Sequence, residues 1–496
     1  MAATSDTLAL MKASLAMSSD DIAKTINTAT GLVAYDLQAP AKNLYPVNTP
    51  IRNRLPRVSG GVGVATNWKS ITKITGSGYD AMGWVAEGQR TGRMSYTTET
   101  KSASYATLGE EDMVTFEAIN AGRTFEDIRS TASMRVLQKM MLKEENALLF
   151  GNKSVALGTT PTPVNSAVAN GATLPAATYS VICVALTAEG FRGSSVSATG
   201  VPTTQTVTGA DGQTYVLKGG SAQKSAAASQ GIALGDELRA SVATVRGAVG
   251  YAWYVGVAGS EKIEAITTTN SMVISKPLLA TGQAATAVTA DNSANTLGFD
   301  GLMYAALATG SGAYVKDLAT GTPGTGTGLT ASGMGTIVEI DEMLRNMWDN
   351  WQLSATVIYV NSQELMNITR KVLTGPGASP LLQIMTNPES GTVNMLAGGI
   401  VGFYFNPFTA DGGRKIPIKI HPTLPPGIIL GWAEDLPMQY QSNNVPNVAE
   451  VKVRQDYYQL DWPLRTRAQE FGVYSEEVLA VYAPFAMGVV KNIANS

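Results

Sequence analysis

The chain has 496 residues, of which 44% are hydrophobic and only 15% are charged, and its formal net charge at pH 7 is −3. The charged fraction lies below the roughly 25% of typical soluble domains, which favours a neutral surface that contacts other copies, although a Thr- and Ser-rich β-domain has the same composition. Mixed basic and acidic residues disfavour tight binding to nucleic acid phosphates. The single cysteine, Cys183, and the single histidine, His421, exclude disulfide frameworks, Cys/His zinc sites and most histidine-based catalysis.

Residues 1–54 are predicted to form an N-terminal arm. A helical stretch from Ser5 to Leu15 precedes an extended segment through Pro40, Pro46 and Pro50. The start of the chain lacks the basic region of a secretion signal, and no apolar run approaches membrane-spanning length. We therefore expect a protein that is made and works in a cytoplasm, without a membrane partner.

Two strands, Ala65–Thr75 and Met94–Leu108, are predicted to form a long hairpin around the Gly-rich stretch 76–93. Thr, Ser and Lys occupy both sides of the alternation, so neither face is convincingly apolar, and an isolated hairpin of this kind is marginal in water. We expect an arm that gains order by lying on a neighbouring subunit, with an unattached surface hairpin as the alternative. The candidate contact residues are Trp68, Lys69, Lys73, Trp84, Arg90, Arg93, Tyr96 and Lys101.

A long helix is predicted from Phe125 to Phe150. Thr124 and Asp127 resemble a capping box at its start, and Gly151 ends it. The predicted apolar stripe comprises Ile128, Ala132, Val136 and Met140, with Met134, Leu137, Met141 and Leu148 beside them. The remaining surface is assigned to Arg129, Arg135, Lys139, Lys143, Glu144 and Glu145.

The composition shifts to Thr, Ala, Gly, Ser and Val after Gly151 and stays so to about Asn292. Strands are predicted at Thr178–Leu186, Val245–Val255 and Ile263–Ile274. The run from Val245 to Val255 resembles fibronectin type III and bacterial immunoglobulin-like modules, which implies a β-sandwich. Cys183 lies in an apolar strand and is predicted to be a small buried hydrophobe.

An α/β pattern resumes at Leu297. The predicted helices are Thr336–Trp351, with one apolar face, and Asn361 to about Leu373, which starts at a capping box with Glu364. The predicted strands are Ala355–Val360, Ile400–Phe405, Ile416–Ile420, Val448–Val453 and Val478–Tyr482.

Three features of the sequence could carry chemistry, and each has a simpler interpretation. The run Gly321–Gly328 lacks the Gly-Lys-Ser/Thr ending of a phosphate-binding loop and favours a flexible loop. The clusters Glu110-Glu111-Asp112, Asp341-Glu342 and Glu476-Glu477 favour solvated surface over paired catalytic carboxylates. His421 is predicted to be structural or solvated, because no Gly-x-Ser-x-Gly elbow accompanies it. We therefore predict a non-enzymatic protein without cofactor or metal.

The order of these parts resembles the major capsid proteins of tailed bacteriophages, whose fold is shared with encapsulins. The hairpin is entered through Pro50-Ile51-Arg52-Asn53-Arg54-Leu55-Pro56, and Val114–Ile119 with Ala121-Gly122-Arg123 is similar to the lead-in of the family's long spine helix. The resemblance implies an α+β capsid fold. Its parts are an arm (1–54), an extended hairpin loop (55–113), spine helix and peripheral domain (114–151), an inserted immunoglobulin-like β-sandwich (152–292), an axial domain (293–440) and a return to the peripheral domain (441–496).

The resemblance also implies a function. The chain would assemble as hexamers and pentamers into an icosahedral virion shell around double-stranded DNA, which it contacts non-specifically, and assembly would take place in the host cytoplasm. Partners would be a separate scaffolding protein, a portal and a decoration protein. The alternative is an encapsulin-like compartment with a cargo enzyme. Some relatives cross-link a hairpin lysine to an asparagine, but no partner for Lys69, Lys73 or Lys101 is identifiable, so this chemistry is not predicted.

Overall fold

The computed structural model describes residues 45–77, 82–123, 126–197, 199–209, 211–332, 335–374, 384–386, 393–395, 401–410, 412–437 and 447–495. Helices and strands both occur throughout these ranges, which confirms the predicted α+β class. The predicted helix Ser5–Leu15 and the capping residue Thr124 lie outside the described residues.

The helices are α1 (Phe116–Gly122), α2 (Ile128–Phe150), α3 (Ala188–Gly193), α4 (Leu302–Leu307), α5 (Val338–Trp351) and α6 (Ser362–Thr374). The strands before the insert are β1 (Arg57–Val58), β2 (Ala65–Thr75), β3 (Ser95–Ser104) and β4 (Ala106–Thr115). Those of the insert are β5 (Val164–Ala169), β6 (Ala177–Leu186), β7 (Thr204–Thr208), β8 (Thr214–Lys218), β9 (Ala228–Ile232), β10 (Asp236–Ser241), β11 (Gly250–Gly256), β12 (Lys262–Thr267) and β13 (Ser271–Ile274).

The later strands are β14 (Tyr314–Asp317), β15 (Val357–Val360), β16 (Ile384–Thr386), β17 (Val393–Met395), β18 (Phe403–Asn406), β19 (Arg414–Ile420), β20 (Ile429–Trp432), β21 (Ala449–Asp461), β22 (Ala468–Val481) and β23 (Met487–Lys491). Of these later strands, β14, β16, β17, β20 and β23 were not predicted. Strands β21 and β22 are each longer than the predicted Val448–Val453 and Val478–Tyr482, β21 at its C-terminal end and β22 at its N-terminal end.

The main hydrophobic core lies around a six-stranded sheet of order β14-β23-β20-β15-β19-β18. Every residue of β15 is buried, and α5 contributes Ile340, Leu344 and Met347 to the same core. The predicted helix with one apolar face is therefore confirmed in α5. Helix α6 begins as predicted with Asn361, whose side-chain oxygen accepts from the backbone N–H of Gln363 at 3.0 Å. Its Glu364 does not complete a capping box, because it accepts instead from Gly427 N at 2.9 Å.

A four-stranded sheet of order β1-β21-β22-β4 places β4 at one edge. The predicted return strand Met94–Leu108 is two strands, since β3 ends at Ser104 and β4 begins at Ala106. Strand β3 pairs with β2 in the hairpin, whereas β4 belongs to this second sheet. Tyr105, between them, marks where the chain leaves the arm.

The insert contains a three-stranded sheet of order β13-β10-β5 and a four-stranded sheet of order β12-β11-β6-β9. Residues of both sheets share one hydrophobic cluster, in which Cys183 and Trp253 are fully buried. The predicted run Val245–Val255 is a strand only from Gly250, and Ile263–Ile274 is broken into β12 and β13. Gly301 N donates to Gly151 O at 2.8 Å, so the segments that lead into and out of the insert lie close together. The immunoglobulin-like assignment and the domain boundaries stay predictions.

Helix α2 differs from its prediction in its start and in which of its side chains are buried. It starts at Ile128, after Asp127 has capped it by accepting from Ser130 N at 3.2 Å. Met134 and Leu137, placed in or beside the apolar stripe, are 60% and 37% exposed. Two residues assigned to its solvent face, Glu144 and Glu145, are buried at 0% and 1% exposure. Their burial indicates specific polar partners, because an unpaired charge is costly in a protein interior.

The chain folds as two compact units, and the described part of the smaller one comprises Val114–Ala132 and Leu464–Gln469 beside residues 45–46. Within it, Phe116 N donates to Arg467 O at 3.1 Å. Thr115 caps α1 by accepting from Ala118 N at 3.3 Å. The larger unit contains the hairpin, the insert and the main core.

Candidate functional site

Strands β2 and β3 form the predicted hairpin, here called the arm. Their antiparallel register runs from Ala65 opposite Ser104 to Thr75 opposite Ser95. The register shifts once, between Ile71 and Lys73, so that Thr72 is an extra residue on β2. An extra residue in one strand of an antiparallel pair is a β-bulge.

Most of the predicted contact residues lie on the surface of the arm. The exposed ones are Lys69, Lys73, Trp84, Arg90, Arg93 and Tyr96. Trp84 is 93% exposed, which is unusual for the largest apolar side chain. Lys101 is half-buried and pairs with Glu99 at 2.5 Å. Their contact with a neighbouring subunit stays a prediction.

The base of the arm is fixed by aromatic contacts within the chain. Trp68, the remaining predicted contact residue, packs edge-to-face on Tyr482 with ring centroids 5.3 Å apart. Arg454 lies 5.7 Å from the centroid of the Tyr105 ring, within the range of a cation–π contact. A Cβ on Gly61 would lie 2.3 Å from the Tyr105 hydroxyl oxygen, so a larger residue at this position would force the Tyr105 ring to shift.

Glu144 is the centre of a buried charge network below the arm. Arg52 Nε donates to its carboxylate at 2.5 Å, and Arg57 and the Tyr457 hydroxyl donate to it as well. Arg57 also reaches Glu477 Oε2 at 3.1 Å. Glu477 was predicted to be solvated, but its side chain is fully buried. The network joins the segment that enters the arm to α2 and β22.

Glu145, the next residue of α2, binds the backbone of the same segment. Its two oxygens accept from Ile51 N at 3.0 Å and Arg52 N at 2.7 Å. The ring of His421 is fully buried, with Nε2 2.7 Å from Glu145 Oε1 and Nδ1 3.0 Å from the Thr423 hydroxyl. His421 is therefore a structural member of this network, as one of its two predicted roles requires.

Burial and neighbouring charges shift the pKa of one carboxyl group of the network, Glu477, and of both of its guanidinium groups. Burial raises the pKa of Glu477 to about 7, the charge of Glu144 adds to the rise, and Arg57 opposes it. Burial alone would lower the pKa of Arg57, but the nearby carboxylates of Glu144 and Glu477 raise it above its ordinary value. The network therefore holds its guanidinium groups charged and binds one carboxyl proton unusually tightly.

A second buried polar cluster joins the insert to β23. Asn270 N donates to Asn492 Oδ1 at 2.8 Å, and Asn492 Nδ2 donates back to Asn270 Oδ1 at 3.0 Å. Lys491 Nζ donates to the carbonyl oxygens of Val245 at 2.8 Å and Ala248 at 3.1 Å. Lys491 is 3% exposed, and burial lowers its pKa. The insert is thus bound directly to the main core and not only through its two linkers.

The Gly-rich run Gly321–Gly328, predicted to be a flexible loop, packs into the same joint. Gly324 N donates to Ser271 Oγ at 3.0 Å, and Gly324 has a φ of +84°. A Cβ at Gly324 would lie 2.0 Å from Val273, and one at Gly326 would lie 2.7 Å from Ala494. The glycines therefore permit close backbone packing between the insert and the C-terminal strand, which is a physical reason for this composition.

A groove of about 580 Å³ lies between the start of β4, the end of α2, helix α3 and residues 295–299. Lys143 of this groove pairs with Glu110, and Arg192 donates to Asn146 Oδ1 at 2.7 Å. Among the described residues, no group of three or more His, Cys, Asp or Glu side chains could hold a metal ion. None of the helices in the described ranges combines the length and hydrophobicity needed to span a bilayer.

Comparison with known proteins shows similarity only at the level of solved structures. No family model and no curated protein matches the chain. The capsid of a native GTA particle is similar with a TM-score of 0.41 and 9% identity, over 95% of this chain and 99% of that one. The capsid of Myoviridae phage XM1 is similar with a TM-score of 0.39 and 9% identity, over 93% and 99%.

A third similar structure is the holo-SrpI encapsulin complex from Synechococcus elongatus PCC 7942. Its TM-score is 0.40 and its identity 9%, over 95% of this chain and 96% of that one. The chain is thus similar to phage capsids and to an encapsulin.

Proposed function

We propose that this chain is the major capsid protein of a tailed bacteriophage, a non-enzymatic subunit that assembles as hexamers and pentamers into an icosahedral shell around double-stranded DNA. The arm carries the proposal. Among the strands that the structure describes, its two strands of 11 and 10 residues pair only with each other, and the arm exposes Trp84, Tyr96 and several other apolar side chains. A two-stranded hairpin is marginal in water, and large exposed apolar surface marks an interaction site.

The anchoring of the arm supports the same function. Glu144 and Glu145 bind both guanidinium and backbone groups of the segment that enters the arm. An arm whose base is anchored by buried contacts and whose remainder exposes apolar side chains is suited to binding a neighbouring subunit. The six exposed residues among the eight predicted ones, Lys69, Lys73, Trp84, Arg90, Arg93 and Tyr96, are proposed as the inter-subunit contacts of the arm, whereas Trp68 and Lys101 make contacts within the chain. The virion is the proposed location of the protein.

The insert and the remaining partners complete the proposal. We assign 152–292 to an immunoglobulin-like domain that decorates the shell or bridges neighbours, and the other domains keep their predicted boundaries. A separate scaffolding protein, a portal and a decoration protein are the proposed partners, together with non-specific contact to the packaged DNA.

Electron microscopy of the purified full-length chain, alone and coexpressed with candidate scaffolding proteins, tests the proposal. Closed shells or hexameric and pentameric capsomers are the expected result, and a monodisperse monomer at high concentration in every condition would contradict it. The contents of shells purified from the native source separate the two candidate functions. Double-stranded DNA supports a virion, and a protein cargo supports the encapsulin-like alternative.

A further inference from the structure

Asn170 is the only asparagine in the sequence that is followed by a glycine. The pair Asn170-Gly171 lies in the turn after β5, and both residues are exposed. Strand β5 starts opposite Ser241, beside the polar cluster that joins the insert to β23, and ends opposite Asp236. Because a strand rises about 3.4 Å per residue, the pair lies roughly 20 Å along the strand from that joint.

The backbone nitrogen of Gly171 is available to react. Asn170 N and Ala172 N both donate to Gly235 O, at 3.2 and 3.0 Å. The N–H of Gly171, between them, has no acceptor among the residues that the structure describes. A Cβ at Gly171 would meet nothing within 4 Å, so the space around this residue is open. Water therefore reaches the Gly171 N–H and can take its proton.

The side-chain amide of Asn170 lies against a fixed negative charge. Its Nδ2 donates to Glu237 Oε2 at 3.0 Å. Glu237 is 4% exposed, and its other carboxylate oxygen pairs with Arg239 at 2.5 Å. The hydrogen bond from Asn170 is the main cause that holds the pKa of Glu237 below its ordinary value. Glu237 therefore stays ionised, and a change of charge at Asn170 acts on it directly.

We propose that Asn170 is a modification site, at which the amide converts spontaneously and irreversibly into aspartate and isoaspartate; this inference goes beyond the proposed capsid function and does not rest on it. The Gly171 nitrogen attacks Cγ of Asn170 and closes the five-membered ring of a succinimide. The Cγ–Nδ2 bond breaks, and Nδ2 leaves as ammonia with the proton that the Gly171 nitrogen has lost. Water then opens the ring at either of its two carbonyls. In sum, one amide and one water become one carboxylate and one ammonium ion.

The product places a second carboxylate beside that of Glu237. Two close carboxylates disfavour each other's ionised form, so repulsion replaces the hydrogen bond. Isoaspartate also lengthens the main chain by one carbon before Gly171, which disturbs the two hydrogen bonds to Gly235 O. The conversion therefore loosens the turn beside Leu234, which is 82% exposed. The charge and the conformation of this end of the insert thus change with the age of the protein.

Mass spectrometry of the full-length folded chain, incubated for weeks at mildly alkaline pH, tests the site. Asn165 is the internal control, because it lies in the same strand, is followed by serine, and its Nδ2 donates to Ala228 O at 2.8 Å. We expect Asn170 to convert at least about tenfold faster than Asn165, the change for a barrier lower by about 1.4 kcal/mol. Equal rates at the two residues, or no conversion at either, would overturn the proposal.

Two variants separate the reaction from its consequence. Asn170→Gln keeps an amide that can donate to Glu237, but its ring would need six members and closes far more slowly, so this variant should gain no acid. Conversion of Asn170→Gln as fast as the unaltered chain would show that the proposed ring closure is wrong. Asn170→Asp is one of the two products.

Hydrogen exchange of the peptide that covers residues 164–176 measures the consequence, because it reports local opening. The amides of this peptide should exchange faster in Asn170→Asp and in the aged chain than in Asn170→Gln. Equal exchange in all three would show that the conversion does not loosen the turn, and this part of the inference would be wrong.

Discussion

Replacing Glu144 by glutamine tests whether buried charge holds the base of the arm. Glu144 has no exposed surface and accepts from Arg52, Arg57 and Tyr457. Glutamine keeps the volume and one acceptor oxygen, but it replaces the other oxygen by an amide that cannot accept. It also removes the negative charge that compensates Arg52, whose side chain is only 16% exposed.

The expected loss is large for a single substitution. Removing one partner of a buried ion pair costs roughly 3–5 kcal/mol, and since one acceptor remains we expect about 3 kcal/mol in the free energy of unfolding. The matched control is Glu117→Gln. The ion pair of Glu117 with Arg467 joins side chains that are 59% and 84% exposed. Exposed pairs of this kind contribute about 0–1 kcal/mol.

Urea unfolding of the full-length, unassembled chain measures both variants, with circular dichroism as the signal. A lower midpoint at an unchanged slope reports lost stability. If Glu144→Gln and Glu117→Gln shift the midpoint equally, the network does not stabilise the base of the arm, and the reasoning is refuted.

Three further predictions concern buried groups. Because Glu477 has a pKa of about 7 in the folded chain against 4.5 ordinarily, its stabilising contribution is full below pH 4.5 and is lost as the pH rises through 7. Glu477→Gln should flatten the decline of the urea midpoint over this window, and an unchanged decline would contradict the assignment. Lys491→Met should cost roughly 3–5 kcal/mol, against less than about 1 kcal/mol for the half-exposed Lys316→Met; equal thermal shifts would exclude a stabilising joint. Cys183, fully buried with its thiol pKa raised by burial, should react with a thiol reagent only as fast as the chain unfolds, and rapid labelling would indicate local opening of the insert.

The elements that the sequence predicted well are those whose pattern is local. Strand β2 has the predicted bounds, Ala65–Thr75, because its residues suit an extended chain and glycines flank it. Helix α5 begins only two residues after its predicted start, since the spacing of its buried residues follows the helical period. In both elements, the residues that form the pattern lie within a few turns of one helix or within one strand.

The buried network was missed because its members are distant in sequence. Arg57 and Glu144 are 87 positions apart, and His421 and Glu145 are 276 apart. The prediction from helical spacing placed every charged residue of α2 on the exposed face. This is correct for Lys139 and wrong for Glu145. One signal was available. Two adjacent glutamates lie shortly before the apolar end of α2, and three closely spaced arginines, Arg52, Arg54 and Arg57, lie where the N-terminal arm ends.

The faces on which the apolar side chains of the arm lie were not predicted, for a different reason. Strict alternation distributes Ile71 and Ile74 over two faces, and a β-bulge cannot be seen in one strand alone because it depends on the register with the other. The contact between the insert and β23 was also not predicted, because it depends on how distant segments pair. Asn270 and Asn492 are ordinary polar residues until folding places them opposite each other.

The joint between the insert and β23 also orders the folding of the chain during synthesis. Asn270 and Asn492 are separated by 222 positions, and at roughly 5–20 residues per second the ribosome needs on the order of 10–45 s to make that stretch. The paired strands of the insert are complete at Ile274, long before Lys491 exists. Until β23 is made, the hydrophobic cluster of the insert has no contribution from the contacts that Lys491 and Asn492 provide.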